Sequence, residues 1–180
     1  QPARCLGADP GRGCKPAACT MILTDDIHEF LAALPRHGAI AGLDLGTKTI
    51  GVAVSDLMRS IGTPLSTVKR TKFTQDAEAL VEILKARQIV GLVLGLPRNM
   101  DGSEGPRCQS TRAFARNFTK IMPLPLIFWD ERLSTVAAER ALLEADTSRK
   151  RRAEVVDHVA AGYILQGVLD RLAHMRQAHD

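Results

Sequence analysis

The sequence predicts an α/β domain built on a mixed sheet with helices on both faces, and three observations carry that prediction. Two β-rich apolar runs, Ile40 to Leu45 and Ile50 to Val54, flank a short polar turn bounded by glycines, the pattern of a hairpin. Two further apolar runs, Ile89 to Leu96 and Leu124 to Trp129, alternate with segments of helical periodicity, the pattern of βαβ units. At 180 residues, 45% hydrophobic and 24% charged, the chain has an ordinary globular composition and length enough for one core.

The first twenty residues stand apart. QPARCLGADPGRGCKPAACT is rich in Gly, Pro, Ala and Cys and lacks periodicity, so disorder is expected there, with Met21 as the natural start. Arg4, Arg12 and Lys15 against Asp9 give this tail +2 of the net charge of +4, leaving the body mildly basic. The tail does not show a charged start, apolar centre and cleavage site in order, so a signal peptide is not expected. Cys5, Cys14 and Cys19 lie in it, and Cys108 is alone in the body. With no second Cys or His pair at zinc spacing, neither a disulfide framework nor a zinc site is expected, which points to the cytoplasm. No apolar run approaches the roughly 18 residues of a membrane helix.

In chain order, residues 21–38 hold an N-terminal helix, and a single domain is expected over 39–175. The helix runs from Thr24 to Leu34, with Thr24 as N-cap, Asp25 and Asp26 in its first turn, and Pro35 and Gly38 closing it. His28 on it reads as a surface residue. In the hairpin, Gly46 is expected to take positive φ and Gly51 to leave room for a close neighbour. A third strand spans Ile61 to Lys69 with Pro64 on an edge, followed by the basic residues Arg70 and Lys72. A helix opens at Thr74 and ends near Arg87, and Ile89 to Leu96 reads as a strand covered on both faces. After the loop PRNMDGSEG, a helix over Pro106 to Ile121 shows Arg107, Arg112, Arg116 and Lys120 along one side. The strand Leu124 to Trp129 follows. Ser134 or Thr135 then caps a helix through Ala145, a charged link DTSRKRRAE comes next, and a last helix covers about Ala153 to Met175.

The chemistry lies in acids placed where acids are costly. Asp44 sits between Leu43 and Leu45 and shares a strand face with Gly42 and Gly46, an open place for a carboxylate that must be paired, hydrogen-bonded or cation-bound. Capping of the Thr47 or Lys48 N–H groups is its plainer reading. Asp130 and Glu131 follow the last strand, and ligands of α/β sheets gather at such strand ends. Asp157 begins a stripe with Ala160, Ala161, Ile164 and Val168, so it is a charge on the packing side of its helix. Three such acids repel one another unless a cation lies between them. Oxygen ligands without His or Cys suit magnesium or manganese, and two such ions cleave phosphodiesters. Three unrelated surface acids, with Asp157 paired to Arg152 or Arg132, remain the bland alternative.

Four motifs, GLDLGTKTIGVAVSD, VGLVLGLPRNMDGSEG, FWDERLST and EVVDHVAAGYIL, together resemble the YqgF family of pre-16S rRNA nucleases, also described as Holliday junction resolvase-like. The resemblance covers about Ala39 to Leu172. It implies an RNase H-like fold with a mixed five-stranded sheet, a metal-dependent nuclease site, and trimming of the 5′ end of precursor 16S rRNA. Residue by residue it makes Asp44, Glu131 and Asp157 both catalytic and metal-holding, with Asp130 and Asp101 ranked behind them. Lys48 and Arg132 are expected to meet phosphate, against solvent exposure for the first and a salt bridge for the second. The run Arg149, Lys150, Arg151 and Arg152 is expected to do the same, whereas Phe128 and Trp129 read as core. Branched DNA is the rival substrate, and a non-catalytic RNA-binding assembly factor the rival function. An actin or sugar-kinase phosphotransferase shares the Asp-x-Gly-Thr hairpin but needs two such domains. Monomer and homodimer both stay open.

Overall fold

The computed structural model describes residues 22–133 and 149–178, with backbone alone for 133 and 149–158. The expectations for the first twenty residues, for Met21 and for a helix from Ser134 to Ala145 lie outside the described residues.

The strands are β1 (Leu23–Thr24), β2 (Ile40–Leu45), β3 (Thr49–Ser55), β4 (Gly62–Lys69), β5 (Gly91–Leu96) and β6 (Leu126–Asp130). They form one mixed sheet in the order β1-β6-β5-β2-β3-β4. β1, β6, β5 and β2 run parallel, β3 returns antiparallel to β2, and β4 is antiparallel to β3. The sheet therefore has six strands rather than five. The extra one is a two-residue edge, Leu23 opposite Leu126 and Thr24 opposite Ile127, too short to leave a period in the sequence.

That edge also corrects the first helix. Helix α1 is Ile27–Ala33, and Asp26, not Thr24, caps it by accepting a 2.7 Å bond from the His28 N–H. The Thr24 hydroxyl bonds Glu29 and accepts from the Asp26 N–H at 2.9 Å. Gly46 departs from expectation too. Positive φ is found at Gly38, Gly102, Arg59 and Gln88 among the described residues, and Gly46 is held in the ordinary range by its 2.9 Å bond to the Thr49 carbonyl. Pro64 does lie on an edge strand, beside a register shift at Val52/Ala53, where its missing N–H leaves no ladder bond unmade.

Alternation along the strands divides the core in two. Ala41, Leu43, Leu92, Leu94 and Phe128 pack under α2 (Phe73–Ala86) and α3 (Pro106–Ile121), around Leu80, Leu84 and Phe118. Ile40, Ala53, Val93 and Ile127 face the other way, under α1 and the last helix, α4 (Arg149–Gln177). The basic run read as a link is thus the first turn of α4, because Arg and Lys are good helix formers and a charge run does not stop a helix.

Helix α4 lies directly on the strands through glycines. A Cβ on Gly42 would stand 2.8 Å from Leu165 Cβ and 2.9 Å from the Ala161 carbonyl oxygen. Leu165 covers Gly62, and Gly162 covers Pro64, which stands level with Gly42 across Ala53. Moving up β2 therefore means counting down α4, so the two run antiparallel. From Ala161, four residues back along the helix is about 6 Å. From Gly42 to Asp44 is about 7 Å in the same direction. Position 157 is thereby level with Asp44.

Candidate active site

Three strands leave a notch around Asp44. Gly51 of β3 is directly opposite it, and one step past the Leu43–Leu94 pair brings Gly95 of β5 to its other side. Neither neighbour has a side chain to fill the space. Into it comes Glu131, which follows β6 and opens a short 3-10 turn, Glu131–Leu133. A Cβ on Gly95 would stand 2.7 Å from Glu131 Oε1, so the carboxyl lies over that glycine.

The Glu131 carboxyl interacts with the side chain of Asp44 across this notch. Burial is the main cause that pushes the Glu131 carboxyl above its ordinary range, and Asp130 adds repulsion. The contact with Asp44 and the field of Arg107 act the other way. The plain reading of Asp44 as a turn cap gives way to this pairing. Two half-buried carboxyls side by side, with oxygen donors only, fit a hard divalent cation, which would offset their burial and mutual repulsion. Among the described residues no third His, Cys, Asp or Glu completes a metal-binding group, and the Asp157 side chain lies outside them.

The other expected residues divide. Arg132 clasps Asp130, with Nε at 3.0 and 2.9 Å from its two oxygens and Nη2 at 2.6 Å, while its N–H caps the same carboxylate. Arg132 is thus in a salt bridge, and that clasp, above all, holds the Asp130 carboxyl below its usual range. Asp101 folds its own loop, accepting from the Ser103 hydroxyl and N–H beside Gly102 at φ 85°. Lys48 is exposed in the hairpin turn. Arg149, Lys150, Arg151 and Arg152 are on α4, and their side chains lie outside the described residues. Phe128 is core as expected, and Trp129 packs against Gly167.

Several residues escaped the sequence reading. Gly95 had a signal, a glycine inside a continuous apolar run. Arg107 had one too, a cation in the first turn of a helix, against the dipole. Arg112 bonds Glu104 at 2.6 and 2.9 Å, reaches Asp25, and stands 4.6 Å over the Phe128 ring. Nothing in the sequence pairs those positions. This network ties the β5–α3 loop to β6 and the α1 entry, and it fixes the frame in which Glu131 turns.

A family model described as "RuvX: Holliday junction resolvase" matches residues 38–171. A protein of Cereibacter sphaeroides named "Putative pre-16S rRNA nuclease" is 76% identical over 151 residues, covering 84% of this chain and 94% of that protein. One of the same name from Paracoccus denitrificans is 72% identical over 151 residues, covering 84% and 96%. Among solved structures, T. thermophilus RuvC in complex with Holliday junction substrate aligns at TM-score 0.52 and 13% identity, covering 76% of this chain and 97% of that one. That likeness is one of fold and bears out the RNase H-like expectation. None of the described helices is long and apolar enough to cross a membrane.

Proposed function

The chain belongs to the RuvX (YqgF) family of Holliday junction resolvases, and on that premise we propose that it is a metal-dependent nuclease that processes the 5′ end of precursor 16S rRNA in the cytoplasm. The observation that carries this reading is the Asp44–Glu131 pair laid over Gly95 at the ends of parallel strands. Asp44, Glu131 and Asp157 would hold Mg2+ or Mn2+, with position 157 level with Asp44. Such a cation would supply water activation and stabilisation of the leaving oxygen for hydrolysis of one P–O ester bond. Asp130, held by Arg132, sets the turn that carries Glu131. Lys48 and the basic first turn of α4 supply phosphate contacts, which position a substrate without reading its sequence. The catalytic unit is the single domain over residues 39–175.

The rRNA assignment rests on the names of relatives up to 76% identical over 151 residues. The family's description favours a second substrate, the four-way DNA junction. Both are tested together. A precursor 16S rRNA 5′-end fragment and a synthetic four-way junction are incubated with magnesium, with EDTA, and with Asp44→Asn and Asp157→Asn. Magnesium-dependent RNA cleavage lost in both variants is expected. Junction cutting alone moves the function to DNA with the same chemistry. Cleavage of neither, or full activity in Asp44→Asn, overturns the catalytic reading.

A further inference from the structure

Beside the acid pair, on the far side of the β2–β3 turn, is a small cleft of about 120 Å3 between Gly46, Thr47, Arg70, Arg107, Ser110 and Thr111. No carboxylate lines it; its polar side chains are two guanidiniums and three hydroxyls. Arg70 spends one N–H on the Gly46 carbonyl at 2.8 Å, which anchors it and leaves its other donors uncommitted among the described residues. Arg107 has neither a hydrogen bond nor an ion pair among them and acts on Glu131 only through its field. It occupies the first turn of α3, a helix with no acid in that turn and no side-chain cap at Gly105. A cation there opposes the helix dipole, and an anion is what reconciles the two.

Thr111 is the second, independent sign. It is 4% exposed, and its hydroxyl has no partner among the described residues. Thr119 on the same helix returns its hydroxyl to the Ala115 and Arg116 carbonyls at 2.9 and 3.2 Å, the ordinary resort of a helical threonine. The Thr111 hydroxyl is therefore not sealed in the core but opens on the cleft, where an anion's oxygen can complete it.

We propose that this cleft seats one phosphate of the substrate backbone, a neighbour of the one being cut. Arg70 and Arg107 supply charge, and Thr111, Ser110 and Thr47 supply hydroxyl donors to its non-bridging oxygens. The cleft is far below the roughly 300 Å3 at which small-molecule pockets begin, so it takes a phosphate and not a nucleotide. With Arg107 also acting on Glu131, the seat and the acid pair share one electrostatic frame, and occupancy of the first fixes which linkage reaches the second.

The inference rests on the nuclease reading, and its test separates the two. Oligonucleotides carrying a single neutral methylphosphonate are scanned across the cut site, with cleavage measured in magnesium and affinity by anisotropy in EDTA. The expected result is one off-cut linkage whose neutralisation weakens both cleavage and affinity about tenfold. Thr111→Val, equal in shape and safe for the fold, and Arg70→Gln should lose that sensitivity while remaining sensitive at the cut. Arg70→Gln should also lower the salt slope of single-strand binding by about 0.7. An off-cut penalty in affinity without any cleavage would sink the nuclease and keep the phosphate seat. Absence of any off-cut penalty, or its persistence in Thr111→Val, overturns the proposal.

Discussion

Gly95→Ala places a methyl group where two others already are. Its Cβ would stand 2.6 Å from Ile164 Cδ1, 2.7 Å from Glu131 Oε1 and 3.0 Å from Glu131 Cγ. Ordinary contact begins at 3.4 Å, so the glutamate oxygen must retreat by about 0.7 Å, the difference between 3.4 and 2.7. Ile164 Cδ1 is the free end of a flexible chain and can swing, at the usual overpacking cost of about 1–3 kcal/mol. For a chain of this size that is a fall in Tm of about 4–8 °C at the middle of the range. Displacing a reacting group by about 1 Å costs up to about 100-fold in rate, so cleavage should fall about 10- to 100-fold. The two effects separate in the double variant Gly95→Ala, Ile164→Val, which deletes the clashing Cδ1 but not the clash with Glu131. Thermal melting should show stability recovered, and a cleavage time course should show activity still down. Activity returning in step with stability, or Gly95→Ala cutting like the parent, would refute the placement of Glu131 as the reacting carboxyl.

Further outcomes follow from the same geometry. Burial first of all raises the Glu131 carboxyl, so its contribution to stability is fully present below the ordinary glutamate range near 4.5 and is lost as pH rises through the folded value. In EDTA, the Tm difference between the parent and Glu131→Gln should therefore grow in the parent's favour from neutral pH downward, and magnesium should flatten it. Glu104 has the opposite sign, because its bond from Arg112 holds it low. The parent's advantage over Glu104→Gln should be present above the ordinary glutamate range and vanish on acidification. Arg132→Ala removes the clasp on a partly exposed Asp130, so Tm should move by less than about 1 kcal/mol equivalent while cleavage drops about tenfold. Equal loss of both would assign Arg132 to the fold alone. Arg59 is 3% exposed and bonds the Gly38 and Pro35 carbonyls at 2.8 and 2.7 Å. Arg59→Met should cost about 3–6 kcal/mol in urea unfolding, since it removes two charge-assisted bonds worth about 1.5–3 kcal/mol each.

The helices and strands of the body were legible because each buries one face and so repeats with its own period. The hairpin, the fully apolar β5 and the α3 helix all emerged where their periods placed them. What escaped was set by contacts between distant positions. β1 is a strand only because β6 offers an edge, and Asp26 caps α1 because Thr24 is engaged with that edge. Asp44 and Glu131 were readable as strand-end acids that should converge. That Gly95 is the floor on which they do so was not, because it depends on β5 lying between the two strands that deliver them. Arg132 could be read as a phosphate ligand or a salt bridge, and the fork it makes to Asp130, two residues away, could not be foreseen from the spacing alone.

The close seat of α4 on Gly42 makes the order of synthesis matter. Asp44 is made early, yet Ile164, which walls its notch, and Leu165, which covers Gly42, come more than a hundred residues later. While the chain is still emerging, the sheet face that carries Ile40, Ala53 and Val93 has no cover, and the notch has no roof. While it is being made the chain therefore has no closed notch, and the acids gain their wall only when α4 folds back onto the sheet.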